Sequence, residues 1–102
     1  MKVFRNPEVM WREEDDYKDQ AYRGLEKGED VGEIGTSVLY SGSEMLSLNI
    51  LGTEIWKRCD GKTIDEIAFE LAGIFDVEAE VLIKDTAGFI SELKEKGYIY
   101  EE

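Results

Sequence analysis

The chain has 102 residues, 42% of them hydrophobic and 11% aromatic, enough for one modest core and too apolar for disorder. Its 24 Asp and Glu outnumber 12 Lys and Arg, a net charge of −12; such a surface repels phosphate backbones and anionic lipid but tolerates cationic peptides. There is no histidine and only one cysteine, which removes the usual general base, the commonest metal ligand and any internal disulfide.

The single cysteine, Cys59, fits a reducing, cytoplasmic location. Residues Met1 to Pro7 lack the apolar core of a signal peptide. No apolar run approaches the roughly 18 residues that a membrane span needs.

Along the chain, Glu8-Val9-Met10-Trp11-Arg12 reads as a first strand. Residues 13–35 read as an acidic, partly helical insertion. Most of residues 16–27 fits a helix, with Tyr17, Ala21 and Leu25 on one face. Gly24 weakens that helix and Gly28 ends it. Thr36 to Tyr40 and Met45 to Leu48 read as paired strands around turn residues Ser41 to Glu44. Alternation sends Leu46 and Leu48 to the core and Met45 and Ser47 to the other face.

Three helices are then expected. The first starts near Ile50 with Asn49 as its cap, carries Leu51, Ile55 and Cys59 as its apolar stripe, and stops at Asp60-Gly61. Thr63-Ile64-Asp65-Glu66 is a capping box opening the second. Ile64, Ile67, Ala68, Leu71, Ile74 and Phe75 share one face of it. The third runs from about Glu78 to Lys96, with Ala79, Leu82, Ile83, Thr86, Phe89, Ile90 and Leu93 at helical spacing and Gly97 just past its end. The predicted class is therefore α+β: a three-stranded antiparallel sheet followed by three helices, winged helix-turn-helix-like, in a single domain over residues 1–102. Such a fold carries no function by itself.

Candidate chemistry is sparse. Cys59 has no histidine to activate it and lies on an apolar stripe, so it reads as a core side chain. Glu13 to Asp16 lacks the alternating pattern of a calcium loop and reads as a solvated charge run. Asp60-Gly61 reads as a turn between helices. Trp56 reads as a core anchor, and Trp11 as strand packing or a partner contact. No phosphate-binding glycine motif is present. These residues point to no catalytic group, no metal and no cofactor.

One pattern carries more. Leu48-Asn49-x-x-Gly52-x-x-Ile55-Trp56-x-x-Cys59-Asp60-Gly61-x-Thr63-x-x-Glu66-Ile67, followed by Asp85-x-x-x-Phe89-Ile90-x-x-Leu93-x-x-x-Gly97-Tyr98-Ile99, resembles the PqqD family over residues 36–99. The resemblance implies a peptide-recognition domain without enzymatic activity. Such a domain binds the leader of a ribosomally made precursor peptide by strand addition and presents it to a maturation enzyme. It implies that the peptide pairs with Met45, Leu46, Ser47 and Leu48 and lies against Val81, Asp85, Gly88, Phe89 and Glu92 of the third helix. The implied enzyme is a radical S-adenosylmethionine (SAM) protein with a SPASM domain. Within the family, the Trp11-Arg12-Glu13-Glu14 start and the run from Leu51 to Cys59 are most similar to the small chaperones of GeoRSP-type systems. The insertion at 13–35 departs from the short family pattern. The alternatives are an adaptor subunit without a peptide ligand and a winged-helix DNA-binding regulator. The latter would set Asp85, Glu92 and Glu95 against only Lys84, Lys94 and Lys96, so no nucleic acid and no membrane is expected as a partner.

Overall fold

The computed structural model describes all 102 residues. The elements run β1 (Lys2–Arg5), β2 (Met10–Glu13), α1 (Asp15–Glu26), β3 (Ser37–Ser41), β4 (Glu44–Leu48), α2 (Ile50–Arg58), β5 (Asp60–Thr63), α3 (Ile64–Ala72), α4 (Ala79–Glu95) and β6 (Ile99–Glu101). The fold is α+β, with two three-stranded antiparallel sheets, ordered β5-β1-β6 and β2-β3-β4. No helix is long and apolar enough to cross a membrane. The chain divides into two compact units, one of Met1–Asn6 with Ile55–Glu102 and one of Pro7–Glu54.

In the first unit, β1 is the middle strand of a sheet that periodicity did not reveal. Asp60-Gly61, expected as a turn between helices, instead opens β5. The reason is a bulge: Val3 faces Lys62 and Phe4 faces Asp60, which leaves Gly61 as the extra residue. Gly61 has φ 91°, and a Cβ there would stand 3.4 Å from Cε1 of the Phe4 ring. Glycine is the residue that adopts this backbone at no steric cost. Pairing with β1 therefore overrides the poor strand propensity of Asp and Gly.

The helices of this unit follow the sequence signals more closely. Thr63 Oγ1 accepts the Glu66 N–H at 3.2 Å, and Glu66 Oε1 accepts the Thr63 N–H at 3.0 Å, completing the capping box. These bonds hold the exposed Glu66 carboxyl below its usual pKa. Helices α3 and α4 pack on each other, burying Ile67, Ala68 and Leu71 of α3 and Leu82, Thr86, Ile90 and Leu93 of α4. The expected stripes were too wide. Ala79 and Ile83 are exposed and Phe89 is half-buried, because the contact seam follows 82, 86, 90 and 93. Ile74 is also exposed, because α3 stops at Ala72 with Gly73 as its cap. Past α4, the Tyr98 N–H bonds Leu93 O at 2.9 Å and the Gly97 N–H bonds Lys94 O at 3.1 Å, with Gly97 at φ 80°. That is the helix end the glycine predicted.

In the second unit, α1 occupies the predicted stretch. A matching pair of bonds, Glu29 N–H to Gly24 O and Gly28 N–H to Leu25 O, closes it. Gly24, read as a weakness, has a packing role: a Cβ there would stand 2.6 Å from Val31 Cγ1. Of the predicted α1 face, Ala21 is buried and Leu25 half-buried, while Tyr17 is exposed. The first predicted strand is shifted to Met10–Glu13. It pairs with β3 so that Arg12 faces Val38 and Met10 faces Tyr40. The cap of α2 is as predicted, with Asn49 Oδ1 accepting the Gly52 N–H at 2.9 Å.

Candidate functional site

Strand β4 ends the β2-β3-β4 sheet. It pairs with β3 as Ser37 to Leu48, Leu39 to Leu46 and Ser41 to Glu44, around a two-residue Gly42-Ser43 loop. Gly42 has φ 60°, and no residue other than glycine has positive φ. A two-residue hairpin with glycine first is the type II′ turn, whose flanking pair is hydrogen-bonded. The Leu48 carbonyl accepts the Thr36 N–H at 2.8 Å, so Leu48 also turns its polar groups toward β3. Within an antiparallel strand these directions alternate. Glu44, Leu46 and Leu48 therefore bond β3, and Met45 and Ser47 direct their N–H and C=O groups to the free edge.

Side chains sort the same way. Leu48 is buried and Leu46 half-buried on the core face, whereas Met45 is 68% exposed and Ser47 is exposed. The edge is thus presented by exposed residues while the alternate ones anchor the strand.

Neighbouring polar groups fix β3 in place. Thr53 Oγ1 lies 2.7 Å from both Thr36 Oγ1 and Ser37 Oγ, and all three residues are buried. These bonds tie the start of β3 to the first turn of α2. Nearby, Lys18 Nζ donates to Glu13 Oε2 at 2.7 Å, a bond that, with the carboxylates of Glu54 and Asp15, raises the lysine pKa. Sequence reading missed Thr36, Ser37, Thr53 and the buried Glu54. Polar side chains adjoining apolar stripes were the only available sign of them.

On α4, Val81, Asp85, Gly88 and Glu92 are exposed along one stripe, spaced 4, 3 and 4 residues apart, opposite the buried seam; Phe89 at its margin is half-buried. A Cβ on Gly88 would meet nothing within 4 Å. Met45, Leu46, Ser47 and Leu48 thus share one strand of the second unit, and the α4 residues share one helix of the first.

Cys59 is buried, and its Sγ donates to Ile55 O at 3.2 Å. Burial pushes its pKa up to about 12, against the pull of the Arg5 charge. The thiol is neutral near pH 7, the opposite of an activated nucleophile. Trp56 is fully buried, as an anchor should be, and Trp11 is half-buried. The Arg5 guanidinium donates to Trp56 O at 3.1 Å and Lys57 O at 2.7 Å, satisfying carbonyls at the end of α2. No group of three or more Cys, Asp or Glu stands in a geometry that could hold a metal ion.

The model of the family Coenzyme PQQ synthesis protein D (PqqD) matches residues 35–99. The chain belongs to the PqqD family. This family is one of non-catalytic recognition elements. Two solved structures resemble this PqqD-family chain. One is a lasso peptide synthetase B1 complexed with the leader peptide, at TM-score 0.70 and 22% identity, covering 99% of this chain and 100% of that one. The other is the PqqD truncation of Methylobacterium extorquens PqqCD, a stand-alone recognition element for ribosomally synthesized and post-translationally modified peptides. It has a TM-score of 0.67 and 17% identity, covering 97% of this chain and 88% of that one. At these identities the likeness is one of fold. No curated protein gives a significant match.

Proposed function

We propose that this chain is a non-catalytic peptide chaperone. It binds the leader of a ribosomally made precursor as an added strand on β4 and presents it to a radical SAM/SPASM maturation enzyme of the GeoRSP type. The observation that carries the reading is the open β4 edge, with Met45 and Ser47 facing outward from a strand anchored by Leu48. An added strand gains backbone bonds there, and side-chain pockets supply specificity. The family match and the likeness to a leader-bound lasso synthetase B1 support it. Val81, Asp85, Gly88, Phe89 and Glu92 of α4 are the further peptide contacts. A mid-helix glycine costs about 1 kcal/mol relative to alanine. Gly88 has no packing neighbour to justify that cost, and close approach of a ligand supplies a reason. The reading places the protein in the cytoplasm, with neither nucleic acid nor membrane as a partner.

Titration of the isotopically labelled protein with the precursor leader tests this. The Met45 and Ser47 amide resonances should shift together and those of Leu46 and Leu48 much less. A leader that leaves all four unmoved, or a scrambled leader that moves them equally, refutes the reading.

A further inference from the structure

The second unit holds a cleft of about 440 Å³ lined by Glu14, Tyr17, Gln20, Glu33, Ile34, Gly35 and Val38. Most of its lining comes from the 13–35 segment, which up to residue 34 lies outside the family match. Three features define what it could hold. Tyr17, Ile34 and Val38 offer an aromatic face and aliphatic walls. Glu33 is an exposed carboxylate that makes no ion pair, whereas Glu14 is already engaged by Arg12 at 3.1 Å. The cleft also reaches toward the free edge: Val38 is the cross-strand neighbour of Ser47. Gly35 approaches so closely that a Cβ there would stand 2.6 Å from Ser47 Oγ.

A peptide strand added outside β4 would run about 4.8 Å beyond it, and so about 10 Å from β3, where Val38 sits. On the Ser47 face only a long side chain spans that distance. Apolar walls suit a methylene stem, and an aromatic ring with an unpaired carboxylate suits a cationic head. Lysine and arginine alone combine these properties. The net charge of −12 draws the same kind of ligand.

We propose that the 13–35 segment builds a side-chain pocket, centred on Glu33 and Tyr17, for one lysine or arginine of the peptide that pairs with β4. This rests on the strand-addition reading above and adds to it a substrate class: leaders with a basic residue at one fixed position.

The test uses a displayed library of random linear peptides, selected against the wild-type protein, Glu33→Lys and Ser47→Pro. Both substituted residues are exposed, and folding is checked by circular dichroism. Wild-type selections should converge on peptides with Lys or Arg at one fixed position. Replacing that residue by alanine in a synthetic peptide should weaken binding about tenfold, as loss of a charge-assisted contact does. Glu33→Lys should select Asp or Glu at the same position, and Ser47→Pro should lose the peptides. Peptides that depend on Ser47 but show no basic position, or keep it unchanged in Glu33→Lys, overturn the pocket and leave strand addition standing. Peptides indifferent to Ser47→Pro, or no enrichment at all, overturn both.

Discussion

Proline substitution along β4 separates the two edges of that strand. The Leu46 amide bonds β3 opposite Leu39, and the Leu48 amide does so opposite Ser37. Proline at either position deletes a ladder bond, and Leu48 is buried as well. In a helix interior, where proline likewise removes a bond and clashes, the cost is about 3 kcal/mol or more, and a ladder position is expected to cost the same order. That is a large part of the roughly 5–15 kcal/mol that holds a domain folded. Leu46→Pro and Leu48→Pro should therefore unfold the protein or nearly so. The Met45 amide points away from β3, its side chain is 68% exposed, and the extended backbone before it suits a pre-proline residue. Met45→Pro should melt within a few degrees of the parent. It should bind leader about tenfold more weakly or worse, since one lost hydrogen bond is worth on the order of 1 kcal/mol and the ring adds a clash. Ser47→Pro should behave likewise, with some extra cost where Gly35 crowds it. The assays are thermal melting by circular dichroism and anisotropy of a fluorescent leader. Wild-type affinity in a folded Met45→Pro protein, or a well-folded Leu48→Pro, would refute the edge assignment.

Two further expectations concern the first unit. Cys59 should resist iodoacetamide in the native protein near pH 8 and react only on unfolding. Its pKa rises from 9.0 to about 12 on folding, so its contribution is complete below about pH 9 and is lost as pH climbs toward 12; Cys59→Ala should remove that alkaline component of the melting profile and cost about 1 kcal/mol at neutral pH. Gly61→Ala should destabilise by about 1–2 kcal/mol, the cost of a side chain at positive φ, whereas Gly88→Ala, with open space around it, should stabilise the free protein in the same denaturant titration.

What was legible in the sequence was local. Thr63 with Glu66, Asn49 with Gly52, and the glycines at 28 and 97 act within a few residues of themselves, so their spacing revealed them. The seam 82, 86, 90 and 93 was visible, but its width was not. Whether Ile83 is covered depends on α3, which the α4 sequence does not describe. Strands β1, β5 and β6 were missed because their signal is tertiary: Asp60-Gly61 is a strand only when Phe4 lies beside it. The Arg5 bonds to the end of α2 span the chain in the same way. For the candidate site, alternation placed Leu48 inward and Met45 outward. Which amides face the edge required the hairpin geometry of Gly42-Ser43 and the Thr36 bond to Leu48. The Glu33–Tyr17 cleft was not legible, since its walls come from α1, a loop and β3 together.

The Lys2 N–H bonds Glu102 O at 2.8 Å, and the Glu102 N–H bonds Lys2 O at 2.9 Å. Positions 2 and 102 are thus clasped side by side, one step beyond the Val3–Glu101 pair of the β1–β6 ladder. Two linkers attached there would leave from one point. A segment whose positions 2 and 102 adjoin in this way can be spliced into a surface loop of a larger polypeptide without prising that loop open.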